Sequence, residues 1–210
     1  MKLLYGTTNQ SKIRTMKEHI AHLGIEILSL EDICDINTQL PVIDESGNNP
    51  LENAKIKAIA YYKALNIPVF SCDSGLYIDG LDESRQPGVH VRRIQGRRLN
   101  DDEMIAHYSA LADEFGGRVT ARYRNAICLV MDETKIYKHD GDDIASERFI
   151  ITSKPHHKRS EGFPIDSLSV RAACGMYYYD IENYQEKYLG MADGFAAFFS
   201  RVLGITNSIQ

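Results

Sequence analysis

Residues 68–76 read Pro-Val-Phe-Ser-Cys-Asp-Ser-Gly-Leu, an apolar run that leads directly into an acid. Val69 and Phe70 are typical of a buried strand, and Asp73-Ser74-Gly75 then supplies a carboxylate, a hydroxyl and a flexible backbone. In open α/β sheets ligands bind beyond the carboxyl ends of the strands, so the sequence predicts a strand over 69–73 with a site at its end. Asp-Ser-Gly is also common in ordinary turns, and this stretch alone leaves both interpretations open.

A strand, a polar loop and a helix are predicted at the start of the chain. Residues 2–5 are mostly apolar, residues 6–12 read Gly-Thr-Thr-Asn-Gln-Ser-Lys, and apolar residues then recur at helical spacing. Backbone N–H groups at a helix N-terminus favour an anion, and Lys12 adds a charge that suits phosphate. The loop is therefore a candidate phosphate site, although it lacks the Gly-Lys-Ser/Thr ending of a Walker loop. The alternative is a plain helix N-cap by Thr8 or Asn9.

A second helix is predicted over 50–65, after a segment rich in turn formers that holds Glu45. Pro50 suits the first turn of a helix, and apolar residues then repeat every three to four positions, which gives one apolar face. Glu52 and Lys55 are three residues apart, so part of the charge here is ordinary helix pairing. Glu45 stands in a loop from which a carboxylate can reach a cation.

The composition is that of an ordinary globular chain. Its 210 residues suffice for one sizeable domain or for two lobes around a cleft, and 43% are hydrophobic and 25% charged. A formal charge of −5 argues against general nucleic-acid binding. No apolar run approaches the roughly 18 residues of a membrane span, and no signal-peptide core is present, so we expect a cytoplasmic protein with no nucleic-acid and no membrane partner. Four scattered cysteines without C-x-x-C spacing indicate reduced core thiols.

Strands and helices alternate in the first half of the chain, which indicates parallel strands joined by crossover helices. In the second half, residues 124–131 and 134–138 surround a turn at 132–134 and predict a hairpin, so the whole sheet should be mixed. The predicted strands are 2–5, 25–29, 69–73, 124–131, 134–138 and 147–152, and the predicted helices are 10–23, 50–65, 101–114 and 186–203. An aromatic stripe on the last helix indicates a core face.

Three loops carry further candidate groups. Arginines follow Pro87-Gly88-Val89, and a solvated basic loop and a phosphate or partner contact explain them equally well; they are Arg92, Arg93, Arg97 and Arg98. The adjacent histidines at 156 and 157 are typical of a solvated loop, because no other His or Cys has the spacing of a metal site. Phe163 can present a face on which a base stacks, with Asp166 as a nearby acceptor. Alternatively, Phe163 anchors its loop in the core.

Taken together, these segments resemble the inosine triphosphate pyrophosphatase family, in chain order over about residues 3–200. The loop at 7–12 is similar to its Thr-Gly-Asn-x-x-Lys element, with Thr8 in place of the glycine. Residues 72–76 resemble Asp-Asp-Ser-Gly-Leu, with Cys72 in place of the first acid. Residues 52–58 and 87–93 match its Glu-Asn-Ala-x-x-Lys-Ala and Pro-Gly-Val-x-x-x-Arg elements. Glu45-Ser46-Gly47 is similar to its Glu-Thr-Gly, and Gly162-Phe163-Pro164-Ile165-Asp166-Ser167 is similar to its Gly-Phe-Gly-Tyr-Asp-Pro.

The resemblance implies an α/β fold of two lobes around a long mixed β-sheet with a central cleft, built by residues 1–210 as a single two-lobed domain. It also implies a homodimer, a Mg²⁺ ion (with Mn²⁺ as the alternative) and a hydrolase acting on acid anhydrides, which splits a nucleoside triphosphate into monophosphate and pyrophosphate. By position, Glu45 and Asp73 would bind the metal or position the attacking water. The implied substrate contacts are Thr7, Thr8, Asn9, Lys12, Lys57, Ser74, Gly75, Arg93, Phe163, Asp166 and Lys187.

Among these contacts, the resemblance assigns the phosphates to Lys12 and Lys57, with Ser74 assisting. It assigns the base to Phe163, which would stack on it, and to Asp166, which would hydrogen-bond near it. Phosphoryl chemistry needs charge neutralisation and positioning more than covalent help, which suits two lysines and a metal held by one or two carboxylates.

One departure concerns the base. The family carries Ser-His-Arg shortly after the lysine that Lys187 matches, whereas this chain reads Met191-Ala192-Asp193. A site that loses its hydrogen-bond donors loses the discrimination they give, so altered base selectivity is expected. Two alternatives stay open. One is a catalytically weak or inactive nucleotide-binding or regulatory protein on the same fold, which the missing donors and Cys72 favour. The other is a hydrolase for a smaller or modified pyrimidine nucleotide.

Overall fold

The computed structural model describes residues 1–33, 38–94, 96–181 and 189–205, and the chain divides into two compact units. Unit 1 contains residues 1–74, 124–145 and 189–210, and unit 2 contains residues 75–123 and 146–188. Both units draw on distant segments of the chain, so neither is a stretch of consecutive residues. The expectation that residues 1–210 form a single two-lobed domain stays a prediction.

Nine strands and five α-helices lie within the described residues. The strands are β1 (Lys2–Tyr5), β2 (Glu26–Leu28), β3 (Val69–Ile78), β4 (Arg93–Ile94), β5 (Arg97–Arg98), β6 (Arg118–Val130), β7 (Ile136–His139), β8 (Phe149–Thr152) and β9 (Ser169–Arg171). The helices are α1 (Gln10–His19), α2 (Leu30–Ile33), α3 (Pro50–Leu65), α4 (Asp101–Glu114) and α5 (Leu189–Leu203). Seven strands form a mixed sheet in the order β2-β1-β3-β6-β8-β9, with β7 paired to β6, and β4 and β5 form a separate ribbon. The predicted α/β class with a long mixed sheet is confirmed.

Unit 1 contains the parallel strands that the alternating pattern predicts. Strand β1 is parallel to β2 and to β3, with Leu4 opposite Leu28 on one side and Val69 on the other. The predicted hairpin is also present, since β6 and β7 are antiparallel. Its turn is closed by Asp132, whose carboxylate accepts a hydrogen bond of 2.9 Å from the backbone N–H of Thr134.

Helix α3 packs through small residues, which brings it close to the sheet. Ala54 and Ala58 are fully buried and share a core cluster with Ala126 of β6. The helix begins after Asn49, whose side chain accepts a hydrogen bond from the backbone of the first turn, and it ends at Asn66, which adopts a left-handed φ of 50°. An N-cap of this kind stabilises a protein by about 1 kcal/mol. The close packing and the two caps fix the position of α3 on the sheet and therefore the positions of its polar side chains.

Unit 2 contains a second apolar core and an antiparallel set of strands. Strand β8 pairs with the first half of β6 and with β9. Helix α4 packs against β8 and against a 3-10 turn at Pro164–Leu168. A capping box starts α4: the Asn100 side chain accepts from the Glu103 N–H at 2.9 Å, and the Glu103 carboxylate accepts from the Asn100 N–H at 2.8 Å. Tyr108 and Phe149 are among the buried residues of this core.

Strand β3 is longer than the sequence predicts. The prediction ended it at Asp73, whereas it continues to Ile78. Leu76 and Ile78 are buried at alternate positions, and the backbone of Leu76 exchanges two hydrogen bonds with Gly88, at 2.9 and 3.0 Å. This pairing maintains extended backbone beyond the Asp-Ser-Gly sequence. The acid therefore lies within a strand and not past its carboxyl end.

The final helix has the core face that its aromatic stripe predicts. Met191, Phe195, Phe198 and Phe199 are buried, whereas the predicted start at 186 lies outside the described residues. None of the described helices combines the length and the apolar character that crossing a membrane requires.

The described cysteines are free thiols, in agreement with the absence of disulfide spacing. Cys72 and Cys128 are buried, as predicted. Cys174 is exposed, so its assignment to the core is wrong, and Cys34 lies outside the described residues. The exposed thiol lies in the short loop after β9, where no element covers it.

Candidate active site

Two carboxylates converge on one ammonium group in unit 1. The Nζ atom of Lys57 lies 2.8 Å from Oδ1 of Asp73 and 3.1 Å from Oε1 of Glu45. Because both oxygens contact the same nitrogen, Oδ1 of Asp73 and Oε1 of Glu45 lie close to each other. The side chains of Lys57 and Asp73 are only 11% and 13% exposed, whereas that of Glu45 is 49% exposed. Three residues from separate segments thus form a cluster that combines a buried ion pair with an accessible acid.

The local structure explains why these side chains meet. Side chains alternate between the two faces of a strand, so Ser71 and Asp73 of β3 share one face. Lys57 is one turn beyond Asn53 on α3, which places both on the same side of the helix. Both are buried polar residues, at 9% and 2% exposure, and both bond to Asp73. The polar side chains of α3 therefore meet the polar face of β3.

Asn53 was not among the sequence-predicted site residues, although the structure places it at the centre of the cluster. Its Nδ2 donates to Oδ2 of Asp73 at 3.1 Å, and its Oδ1 accepts from the backbone N–H of Gly47 at 2.8 Å. It therefore connects the acid on β3 with the loop that holds Glu45. The approach is close, because a Cβ atom on Gly47 would lie 2.6 Å from Oδ1 of Asn53. The signal available in the sequence was the Glu-Asn-Ala-x-x-Lys-Ala element at 52–58, which contains both Asn53 and Lys57.

The burial and the charges of the cluster shift the pKa of Lys57. Burial acts to lower the pKa of this ammonium, but the carboxylates of Asp73 and Glu45 outweigh burial and raise it above its ordinary value. Asp73 in turn has both oxygens engaged, one by Lys57 and one by Asn53. The carboxylate is therefore held in one orientation.

Lys12 is a second ammonium near this cluster. Its pKa is lowered by burial and, next in size, by the positive charge of Lys57, while the carboxylates of Asp73 and Glu45 oppose the shift. Among the described residues no carboxylate lies within 4 Å of its Nζ atom. A phosphate placed near Lys12 would supply the negative charge that its own surroundings do not provide.

The loop before α1 is ordered by its own side chains. The carboxamide oxygen of Asn9 accepts from the N–H of Lys12 at 3.1 Å, and Oγ1 of Thr7 accepts from the N–H of Asn9 at 3.2 Å. The helix-cap interpretation is therefore correct for Asn9, whereas Thr8 is exposed and forms no cap. Gly6 permits the close approach of the loop to β3, because a Cβ atom there would lie 2.5 Å from the Ser71 hydroxyl.

Cys72 does not replace the acid that it substitutes for in the family pattern. Burial raises the pKa of its thiol to about 12, so the side chain is neutral near pH 7. It hydrogen-bonds with the hydroxyl of Tyr5, and alternation along β3 directs it to the face opposite Asp73. Glu45 and Asp73 are therefore the carboxylates that this cluster offers.

The donor set fits a divalent cation that is shared with a substrate. Within the described part of the chain, no group of three or more His, Cys, Asp or Glu side chains is arranged to hold a metal ion. Mg²⁺ is usually bound by one or two carboxylates together with substrate phosphates and water, so three protein ligands are not required. Glu45 and Asp73 already converge on one positive charge, that of Lys57. This pair matches the smaller ligand set.

The residues predicted to contact the substrate fall in both units. Thr7, Thr8, Asn9, Lys12, Lys57 and Ser74 belong to unit 1, whereas Gly75, Arg93, Phe163 and Asp166 belong to unit 2. Lys187 lies outside the described residues. Ser74 follows Asp73 directly and is half-buried. The acids and lysines predicted to act at the phosphates thus lie together in unit 1. Phe163 and Asp166, which are predicted to contact the base, belong to unit 2.

The arginine cluster of unit 2 divides into two kinds. Arg92 bonds to Asp101 at 2.7 Å and Arg97 to Glu103 at 2.7 Å, so these two guanidinium groups serve local structure. Arg93 and Arg98 face each other across the β4–β5 ribbon and are exposed. The exposed pair fits the solvated basic loop, whereas a phosphate or partner contact of Arg93 stays a prediction.

Phe163 stands at the start of the 3-10 turn of unit 2 and is 38% exposed. The alternative that it anchors its loop in the core is therefore wrong. Asp166 is half-buried in the same turn, and its backbone N–H donates to the carbonyl of Phe163 at 3.1 Å. This hydrogen bond holds Phe163 and Asp166 close to each other in one short turn.

The histidine pair of unit 2 also departs from the sequence-based expectation. His156 is only 8% exposed. Its Nδ1 accepts from the N–H of Lys158 at 3.0 Å, and its Nε2 lies 3.2 Å from Asp180. Its neighbour His157 is exposed, as expected. The first histidine is thus a structural residue that ties its loop to the segment after β9.

The position that departs most from the family pattern lies on α5 in unit 1. Met191 is 7% exposed, and its sulfur accepts a hydrogen bond of 3.1 Å from Nδ2 of Asn125, which also donates to the carbonyl of Ile144. Asp193 is exposed. Met191 therefore belongs to the packing of unit 1 and offers no donor.

Comparison with known proteins identifies the family. The model of the Ham1 family matches residues 3–146, which is more than half of the chain. A dITP/XTP pyrophosphatase of Aquifex aeolicus is 41% identical over 111 residues, 49% of this chain and 50% of the relative, and one of Rhodopseudomonas palustris is 34% identical over 139 residues, 64% of this chain and 63% of the relative. These matches thus span half to just under two thirds of the relatives' length.

A solved structure supports the same assignment at the level of the fold. The HAM1 protein of Coxiella burnetii superposes with a TM-score of 0.74 at 23% identity, covering 96% of this chain and 99% of the other. The chain therefore shares the fold of that HAM1 protein. The chain belongs to the Ham1 family, and the resemblance to the inosine triphosphate pyrophosphatases is confirmed.

Proposed function

We propose that this protein is a metal-dependent nucleoside triphosphate pyrophosphatase, which hydrolyses a non-canonical purine nucleoside triphosphate to the monophosphate and pyrophosphate. Membership of the Ham1 family and the dITP/XTP pyrophosphatase relatives support the reaction class. The observation that carries the proposal is the convergence of Glu45, Lys57 and Asp73, because two acids beside a lysine suit a cation and a polyanion at one place.

The geometry suggests distinct roles for the two acids. Asp73 is bonded at both oxygens, by Lys57 and by Asn53, so we assign it an orienting role. Glu45 is half-exposed, and its carboxylate is accessible to the attacking water, whose proton it would accept at an Oε atom. Lys12 and Lys57 would bind phosphate oxygens and offset their charge.

The cation that we propose is Mg²⁺, with Mn²⁺ as the alternative, held by Glu45 and Asp73. When bound, such an ion neutralises phosphate oxygens and lowers the pKa of coordinated water. The lysines remain necessary, because a triphosphate carries more negative charge than one divalent ion offsets.

Altered base selectivity is the finer part of the proposal. Phe163, an exposed ring, would stack on the base, and Asp166 would accept a hydrogen bond near it. The Ser-His-Arg donors of the family are replaced by Met191-Ala192-Asp193, in which Met191 is buried against Asn125 and Asp193 is exposed. We therefore expect weaker preference for a purine that carries an oxygen at the 6-position.

The direct test is pyrophosphate release from a panel of triphosphates with Mg²⁺. The panel contains dITP, XTP, the canonical purine and pyrimidine triphosphates, and modified pyrimidine triphosphates. The last group tests the alternative of a modified-pyrimidine hydrolase. Release from at least one of them, and its loss without the metal, is the expected result. No release from any member, with protein that is folded, would overturn the proposal.

A second candidate is a nucleotide-binding or regulatory protein without catalysis. The neutral thiol of Cys72 and the buried thioether of Met191 favour it, because two polar positions of the family pattern are lost. A rise in the unfolding temperature with nucleotide but without any product would identify this case. Assembly as a homodimer and a cytoplasmic location remain predictions from the family resemblance and the composition.

A further inference from the structure

We propose that Lys57 acts as the resident cation of the acid pair when no nucleotide is bound, so that the substrate is a cation–triphosphate complex and not a cation and a triphosphate that bind separately. This inference rests on the proposed function, because it concerns how the same site is filled. It assigns to Lys57 a second role beside phosphate binding.

The contacts of Lys57 carry the argument. Its Nζ atom reaches both Asp73 and Glu45, at 2.8 and 3.1 Å, and among the described residues these two acids have no other lysine or arginine partner within 4 Å. The ammonium therefore lies between the two carboxylates, in the place that a metal ion bound by both of them would need. Its low exposure of 11% means that little water screens the interaction.

A divalent ion cannot simply join this arrangement. At a separation of a few Å the repulsion between a divalent ion and an ammonium is large wherever water is partly excluded. Lys12 contributes further positive charge, since it and Lys57 already act on each other. Binding of the cation by both acids thus requires Lys57 to withdraw from at least one of them.

A triphosphate gives Lys57 a place to withdraw to. Its oxygens offer the ammonium new acceptors, and this movement frees the carboxylate oxygens of Glu45 and Asp73 for the cation that the triphosphate carries. Neither ligand alone completes this exchange. A cation without triphosphate is repelled by the ammonium of Lys57, and a triphosphate without cation is repelled by the two carboxylates. Cation and triphosphate should therefore bind with strong positive coupling.

Calorimetric titration of the full chain with Mn²⁺, without nucleotide, tests the exchange. The variant Lys57→Gln removes the resident charge, and we expect it to bind Mn²⁺ roughly tenfold or more tightly than the wild type, because the competing state is removed. Lys55→Gln is the matched control: Lys55 is exposed on the same helix, and its loss should leave Mn²⁺ binding unchanged. Lys57→Arg keeps the charge and can bond both acids, so it should bind Mn²⁺ no more tightly than the wild type.

The opposite order of affinities overturns the inference. If Lys57→Gln is folded, as judged by its thermal unfolding, and binds Mn²⁺ no more tightly than the wild type, Lys57 is not a competitor. If that variant does not fold, Lys57→Arg decides: binding of Mn²⁺ more tightly than the wild type contradicts the proposal, and equal or weaker binding supports it. Pyrophosphate release by the wild type is measured separately, so absence of turnover would overturn the proposed function without being read from the Mn²⁺ titration.

Discussion

The two faces of β3 within unit 1 differ sharply although their residues alternate along one strand. On one face, the Ser71 hydroxyl donates to the carbonyl of Gly6 at 3.0 Å, and Asp73 is bonded to both Lys57 and Asn53. On the other face, Phe70 stacks on Tyr5 with ring centroids 4.4 Å apart and meets Phe199 edge-on at 5.1 Å. Cys72 lies on this second face and shares a hydrogen bond with Tyr5.

One face of β3 thus carries the candidate catalytic groups, and the other face packs against aromatic rings. A buried charge is tolerated only where it is paired and hydrogen-bonded, and the face towards α3 supplies such partners. The opposite face supplies aromatic rings, which favour the neutral form of a thiol. With Cys72 in place of the family's acid, a neutral thiol thus lies on the face that the aromatic rings line.

The largest expected effect follows from removing the charge of the polar face. The variant Asp73→Asn should lower kcat by roughly 10²–10⁴-fold, because the acid that orients Lys57 and the proposed cation is lost. Lys57 keeps its contact with Glu45, so the fold should persist. Pyrophosphate release and circular dichroism measure the two properties, and Asp44→Asn, an exposed acid beside Glu45, is the control. Turnover near the wild-type level would show that Asp73 is only structural.

A smaller effect is expected for the residue that orients the acid. The variant Asn53→Ala leaves Oδ2 of Asp73 and the N–H of Gly47 without their partner, and should lower stability by about 1–3 kcal/mol. It should also lower kcat by roughly 10–100-fold with little change in KM. Urea unfolding and steady-state kinetics measure these quantities.

A matched control separates stability from positioning in that experiment. Asn49→Ala removes the N-cap of the same helix and should cost about 1 kcal/mol of stability. Because Asn49 does not contact Asp73, its loss should leave kcat unchanged. Equal losses of kcat in both variants would mean that Asn53 acts only through the stability of α3.

The sequence predicted the elements that depend on local patterns, whereas β4, β5, β9 and the first six residues of β6 were not predicted. Pro50 and the apolar repeat after it placed α3 at its observed bounds, and the run after Pro68 located β3. The end of β3 was placed too early, because Asp-Ser-Gly is turn-like in composition and its pairing with Gly88 is not visible in local sequence. Tertiary pairing thus overrode local turn preference.

The candidate site was predictable only through the resemblance. Composition and spacing gave no reason for Glu45 to meet Lys57 and Asp73, since loop closure across these distances is a property of the folded chain. Asn53 was missed because its carboxamide acts on another side chain and on the backbone, contacts that leave no periodic pattern. His156 was misjudged for a similar reason: its partners Asp180, Tyr177 and Tyr179 are distant in sequence.

A mild effect is expected on the aromatic face. The variant Cys72→Ala removes a buried sulfur and the thiol partner of Tyr5, and should destabilise the protein by about 0.5–3 kcal/mol. Turnover should be unchanged, because the thiol is neutral and faces away from Asp73. Urea unfolding and pyrophosphate release check both statements. A large loss of turnover with intact folding would show that position 72 takes part in the chemistry and that the two faces are not independent.

The smallest effect is expected where no residue is mutated and the reactivities of two thiols are compared. With its pKa raised to about 12, Cys72 has roughly one thiolate per 10⁴ molecules at pH 8, and it is buried as well. Cys174 is exposed, so iodoacetamide should modify it far sooner in the native protein, as peptide mass spectrometry can follow. Since the thiolate fraction of Cys72 rises about tenfold per pH unit below its pKa, any labelling of the native state should rise steeply with pH. Equal labelling of the two cysteines at pH 8 would mean that position 72 is open to solvent, and the neutral, closed face inferred for β3 would have to be abandoned.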